Sequence, residues 1–266
     1  MSKLLEVRGI SKYYVHKDGW LPGKRVCALE PTSFTLGRGE TLSIMGETGS
    51  GKSTIAKIIA GAERPSQGEI FINGQSLNLM SDQQRCRHVR MIFQDSLRSL
   101  NPQTTVGKQL CEPLIFNTEL TPRQQKERVH NTLRKVGLLP DHYDFYPHML
   151  SSGQQQRVCI ARAIVLEPQI IVADEAFAAL DPSIRAQIIN LMLDLQQDMG
   201  ISFIFVSHST EIVKHVSDKI LIMHRGKMIE FGTTQALIQQ SEEPLTRALL
   251  CSDYNYKVPL NSTTKE

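Results

Sequence analysis

The stretch GETGSGKS at 46–53 matches the pattern GxxxxGK[ST], with Gly46, Gly51, Lys52 and Ser53 at its fixed positions. Glycines let successive backbone N–H groups turn inward around phosphate oxygens, and a helix that follows aims its positive end at the same anion. Lys52 would pair with the β- and γ-phosphates of a nucleoside triphosphate, and the Ser53 hydroxyl would ligate Mg²⁺. The expected phosphate cradle is Gly46, Glu47, Thr48, Gly49, Ser50, Gly51, Lys52, Ser53 and Thr54. The run TLSIM before it reads as a strand and KSTIAKIIA after it as a helix, which is the context the motif requires.

A second group of residues suits the same chemistry. IIVADE at 170–175 is a β-branched apolar run ending in two carboxylates. Adjacent acids at a strand end are commonly a solvated loop; downstream of a phosphate loop they read differently. Asp174 is placed for the Mg²⁺ shell, and Glu175 is the candidate general base or water-polarising group. A further small-residue stretch, LSSGQQQR at 150–157, makes sense if nucleotide is held from two sides.

These residues together resemble the ATP-binding-cassette (ABC) ATPases, whose signature reads LSGGQ where this chain has Leu150, Ser151, Ser152, Gly153 and Gln154. Other family marks follow in the family's order. Tyr14, rather than its neighbour Tyr13, sits where an aromatic stacks on adenine. Gln94 in MIFQD matches the Q-loop, which contacts Mg²⁺ or water; Asp181 in AALD matches the D-loop, which reaches across a dimer. His208 in VSHS matches the switch histidine that contacts the γ-phosphate. The resemblance implies a P-loop NTPase (RecA-like) α/β core with an antiparallel β-subdomain and an inserted α-helical subdomain. It covers about residues 4–251, with the helical subdomain at about 97–157 and a polar tail at 252–266. It also implies that two such subunits close head to tail over two nucleotides. Ser151 and Gly153 of one chain would then donate to the γ-phosphate in the other chain's loop, at a helix start whose dipole favours anions.

Longer stretches narrow the resemblance. RMIFQDSLRSLNPQTTVG, FYPHMLSSGQQQR and SIRAQIINLMLDLQ resemble ATPases of peptide/nickel/opine-type transporters. VGLLPDHYDFYPHML and DEAFAALDPSIRAQIINLMLDLQ look closest to the Sap (sensitivity to antimicrobial peptides) group. That resemblance implies a second, different ATPase, two multi-span permeases, a periplasmic binding protein and a peripheral place on the cytoplasmic face of the inner membrane. It implies antimicrobial peptides as cargo; related proteins are linked to putrescine export and haem uptake. An accessory ATPase of a soluble complex, as in phosphonate metabolism, is the rival reading. The chain departs from the family at Ser152, at Ala176-Phe177 after Glu175, and at Ser209 after His208. A Cβ at Ser152 is expected to restrict φ and crowd the partner's phosphate, making the two composite sites unequal. Many relatives hold an iron–sulfur cluster near the C-terminus; only Cys251 lies there, so no cluster is expected.

The elements that must position these groups are legible in part. LLEVRGISKYY, VCALEPTSFTL and ETLSIMG read as strands, and GEIFINGQSL reads as a hairpin turning at Asn73-Gly74. Helices are expected from the phosphate loop to Gly61, from Pro122 with Thr121 as N-cap, and from Pro182 to the stop at Gly200. PQIIVADEA and ISFIFVSHS read as buried strands. TEIVKHVSD reads as a helix, KILIMHRGKMIEFG as a hairpin and EPLTRALLC as a short helix. Strands alternating with helices predict a mostly parallel sheet.

Composition sets outer bounds. The chain has 266 residues, 41% hydrophobic and 21% charged, with a net charge of +3. That balance suits a sizeable core and is too mild for a nucleic-acid partner, whose footprint is a clustered basic face. The five cysteines are scattered without a CxxC pair, so neither zinc nor a disulfide framework is suggested. No signal-type segment is read at the start, and no apolar run reaches the roughly 20 residues needed to cross a bilayer.

Overall fold

The computed structural model describes residues 3–16, 24–94 and 96–251; the 252–266 tail lies outside them. Strands β1 (Lys3–His16) and β2 (Lys24–Gly37) pair antiparallel, and β3 (Thr41–Gly46) runs fully buried into the phosphate loop. From that loop rises α1 (Lys52–Ala60), closed by Gly61 at a left-handed φ of 75°. Next, β4 (Gln67–Ile72) and β5 (Gln75–Ser76) flank the expected Asn73-Gly74 turn, where both φ values are positive (50° and 77°). After α2 (Asp82–His88) and β6 (Val89–Ile92) come the helices α3 (Val106–Asn117), α4 (Pro122–Lys135) and α5 (Ser152–Ile164). The chain then returns through β7 (Ile170–Asp174), α6 (Pro182–Met199), β8 (Ser202–Val206) and α7 (Thr210–Val216). The hairpin β9 (Lys219–His224) and β10 (Lys227–Thr233) follows, then α8 (Thr234–Gln240) and α9 (Pro244–Cys251).

Two sheets result. The smaller is antiparallel, in the order β2-β1-β4-β5; the larger runs β10-β9-β3-β8-β7-β6. It is parallel from β9 to β6, and β10 joins its edge antiparallel. Parallel strands are covered on both faces and therefore read as unbroken apolar runs, as SFIFV does. In β7 the alternation of side chains feeds two cores. Ile170 and Val172 pack with Leu5, Ile10, Ile44 and α1, whereas Ile171 and Ala173 pack with Leu110, Leu133, Val158 and Phe205. The carboxyl end of β7 is thereby pinned from both sides.

Thr121 caps α4 as expected, its hydroxyl accepting from the Gln124 N–H within a capping box. Three features go beyond the sequence reading. Helix α3 passes through Pro113, which has no N–H to give the ladder, and the Pro113 carbonyl accepts from the Asn117 side chain at 2.8 Å. Helix α5 runs to Ile164, and its Val158, Ile160, Ala161 and Ile164 are buried in the core shared with β7. The short elements α2, β6 and α8 are additional to those expected.

Candidate active site

Gln94, the phosphate loop, Asp174, Glu175 and His208 gather at the carboxyl ends of neighbouring parallel strands, where open α/β sheets bind their ligands. The loop 46–51 follows β3, Asp174 and Glu175 end β7, Ser207 and His208 follow β8, and Gln94 follows β6. Within the loop, Gly46 has φ 150° and Gly51 φ 100°. A Cβ on Gly46 would fall 2.1 Å from the Met223 carbonyl oxygen, and one on Gly51 would fall 2.8 Å from that of Ala28. The backbone there passes too close to its neighbours for any side chain.

Lys52 is 5% exposed, and its Nζ donates to the Gly46 and Glu47 carbonyls at 2.9 and 2.8 Å. Burial pulls its pKa below the ordinary lysine value, opposed by Glu175, Asp174 and Glu47. Beside it the Ser53 hydroxyl donates to Asp174 Oδ1 at 2.9 Å. Burial raises the Asp174 pKa, against the Ser53 hydrogen bond that lowers it. A serine hydroxyl touching a carboxylate is a hard-oxygen pair that suits Mg²⁺. That ion takes most of its shell from water and substrate phosphates and needs few protein ligands.

Glu175 is held in a left-handed backbone conformation, φ 47°, its N–H donating to the Val206 carbonyl at 3.0 Å. A non-glycine residue at positive φ is uncommon, and such strain gathers at functional sites. One carboxylate oxygen accepts from Gln94 Nε2 at 3.3 Å, and the other lies 3.7 Å from His208 Nδ1. Three residues singled out from separate motifs therefore meet at one carboxylate.

Asp181 stands at the N-cap of α6 with Pro182 behind it, as expected, but its side chain makes no cap hydrogen bond. The sequence reading missed Arg185. Its guanidinium donates to the Phe177, Ala178 and Leu180 carbonyls at 3.1, 3.0 and 2.8 Å, clamping the loop that ends at Asp181. An arginine one turn into the helix gave no such signal. The unusual Ala176 and Phe177 are buried, and Phe177 packs on Phe205 with ring centroids 6.3 Å apart.

The signature residues form the start of α5. Ser151 is its N-cap, accepting from the Gln154 N–H at 3.3 Å while Gln154 Oε1 accepts from the Ser151 N–H at 2.9 Å. Ser152 takes the first helical position and is absent from the residues with positive φ, so the expected φ restriction does not arise. Gly153 has room for a methyl, which would meet Ile184 Cγ2 at 3.5 Å. Side-chain hydrogen bonds of this group run within it and to His142, not to the phosphate loop. Of the two tyrosines, Tyr14 is the one whose hydroxyl reaches the end of α1, donating to Glu63 Oε2 at 2.7 Å.

Residues 29–178 match the family model described as ABC transporter. The chain is 44% identical over 263 residues to the putrescine export system ATP-binding protein SapF of Escherichia coli K12, covering 99% of this chain and 98% of that one. It is 42% identical to the dipeptide transport ATP-binding protein DppF of Haemophilus influenzae over 93% of this chain and 77% of that one. Among solved structures, a dimeric ATP-binding cassette in a post-hydrolysis state with ADP and Pi superposes with a TM-score of 0.73. It is 29% identical and covers 86% of this chain and 98% of that chain. The chain belongs to the ABC transporter family. Its fold is the ABC nucleotide-binding domain, and it is an ATP-hydrolysing subunit of a transporter. No helix among the described residues is long and apolar enough to cross a membrane.

Proposed function

We propose that the chain powers a peptide transporter as one half of a head-to-tail pair of different ATPases, on the cytoplasmic face of the inner membrane. The single observation that carries the pairing is the signature loop itself. Its helix start faces outward, with Ser152 exposed, and makes no hydrogen bond to the chain's own phosphate loop. A second nucleotide, bound to a partner, is the anion that such a helix start suits. The fit to a dimeric relative carrying ADP and Pi supports that geometry.

In this reading Tyr14 stacks on adenine, residues 46–54 cradle the phosphates, and Lys52 exchanges its carbonyl partners for the β- and γ-phosphates. Ser53, Asp174 and Gln94 would hold Mg²⁺, which when bound would neutralise charge on the phosphates. Glu175 polarises the attacking water, and His208 contacts the γ-phosphate. Ser151, Ser152, Gly153 and Gln154 of the other subunit close the site, with Asp181 at the shared seam. Loss of the γ-phosphate removes the contacts that bind the halves. The remaining partners proposed are two multi-span permeases and a periplasmic binding protein.

The cargo proposed is peptide, supported by relatives named for peptide, dipeptide and glutathione transport; one relative is named for putrescine export. Affinity purification from detergent-solubilised membranes tests the assembly. Recovery of two permeases and a second ATPase is expected, and a purely soluble partner set rejects it. Uptake of a labelled cationic peptide by vesicles holding the whole complex, against labelled putrescine, tests the cargo.

A further inference from the structure

The phenol of Tyr14 is held in place by a chain of partners at the end of α1. Its hydroxyl donates to Glu63 Oε2 at 2.7 Å, and Glu63 sits just past the Gly61 stop of α1. The other oxygen of the same carboxylate lies 2.9 Å from Lys12 Nζ. Lys12 is fixed in turn by a hydrogen bond to the Arg64 carbonyl at 2.8 Å, and its ammonium stands 5.2 Å from the centroid of the Tyr14 ring. Tyr14 itself remains 38% exposed. The ring is thus anchored at its hydroxyl end and approached by a cation, with ring surface left open to solvent.

A tyrosine side chain on a strand has two free torsions, and a stacked base gains most when the ring is already in place. The pair Lys12–Glu63 removes that freedom before ligand arrives. Burial and the Glu63 carboxylate also push the Tyr14 pKa up, keeping the hydroxyl a donor. We propose that Glu63, braced by Lys12, is a positioning residue for the purine base: it locks the Tyr14 ring in its stacking pose through the hydroxyl. The inference rests on the reading that Tyr14 receives the base and adds how the ring is pre-set.

The test compares Tyr14→Phe, Glu63→Ala, their double variant and Tyr14→Ala in the full chain. It reads displacement of trinitrophenyl-ATP by ATP, and KM and kcat for ATP. Tripolyphosphate, which has phosphates and no base, is the control competitor. Tyr14→Phe and Glu63→Ala are each expected to weaken ATP about three- to tenfold, mostly in KM, because each removes the same hydrogen bond to a charged acceptor. The double variant is expected to be no weaker than the singles, and tripolyphosphate affinity to stay as it was. If Tyr14→Ala weakens ATP but Tyr14→Phe and Glu63→Ala do not, the positioning role is overturned and the stacking role stands. If Tyr14→Ala has no effect, the stacking role fails as well. A parallel loss of tripolyphosphate affinity in Glu63→Ala overturns the proposal by showing that Glu63 shapes the phosphate loop instead.

Discussion

Gln94 Nε2 lies 3.3 Å from Glu175 Oε2, although the two residues come from different strands and 81 positions apart in sequence. Gln94 lies two residues past the end of β6, before the chain enters the helical stretch α3–α5. His208 approaches the opposite oxygen of the same carboxylate at 3.7 Å. Any shift of the helical stretch that drags Gln94 therefore alters which groups restrain the proposed base. The proposed base and the position of the helical stretch are thus tied at one side chain.

Glu175→Gln keeps the shape of that side chain and its ability to accept from Gln94 while removing its basicity. ATP turnover is expected to fall by about 10²–10⁴, the usual worth of general base catalysis. ATP-dependent pairing of the subunits should persist, since no phosphate contact is lost. A phosphate-release assay together with size-exclusion chromatography in ATP checks both. Retained turnover would remove Glu175 from the base role.

Much of this site could be read from the sequence because its parts are local. The phosphate loop, IIVADE and the signature each pack their chemistry into a few consecutive residues bounded by a strand or a helix. The Asn73-Gly74 turn and the Gly61 and Gly200 helix stops were legible for the same reason: each depends on one or two positive φ angles at adjacent residues. What escaped depends on tertiary neighbours. Arg185 gains its role from three carbonyls folded back over α6. Helix α3 tolerates Pro113 because Val106, Leu110 and Leu114 are buried against α4 and α5, and burial outweighs a local break. Ser152 misled in the opposite direction, since a departure from a family pattern at a helix start costs nothing in φ.

Asp174 is predicted to be a functional group that burdens the fold. It is 7% exposed, and burial raises its pKa above the ordinary carboxylate value. An acid with a raised folded-state pKa binds its proton more tightly folded than unfolded. Its contribution to stability is whole below the ordinary range and is lost as pH rises through the folded value. At pH 7 the ionised carboxylate is therefore unfavourable. Asp174→Asn, which can still accept from Ser53, should raise Tm at pH 7. The gain should shrink toward pH 4, and ATPase activity should collapse. A Tm unchanged across that range would refute the burden.

Ser151 offers a way to separate capping from phosphate contact. Aspartate is as good an N-cap as serine and favours a helix start electrostatically. Ser151→Asp should thus leave the Tm of the free subunit equal or higher, while its charge repels the partner's γ-phosphate. ATP-dependent pairing, followed by light scattering, is expected to be lost. Ser152→Gly tests the crowding that survives once φ is set aside: faster turnover of the mixed pair supports it, and an unchanged rate eliminates it.

Gly46 and Gly153 should respond oppositely to the same added methyl. At Gly46 the backbone sits at φ 150° and the new Cβ would lie 2.1 Å from the Met223 carbonyl oxygen, an atom fixed in the sheet. Gly46→Ala should therefore lower the Tm of the isolated subunit and weaken ATP binding there. At Gly153 the new Cβ meets Ile184 at 3.5 Å, an ordinary contact, and alanine favours a helix over glycine by roughly 1 kcal/mol. Gly153→Ala should leave the isolated subunit as stable or more so, with ATP affinity unaltered, because this glycine lies outside its own phosphate loop. Only in the pair should the damage show, as lost ATP-driven association and slower turnover where Gly153 approaches the partner's nucleotide. Calorimetry and ATP titration on the single subunit, followed by the pairing assay, separate the two cases; pairing left intact in Gly153→Ala would rule out a phosphate contact at that position.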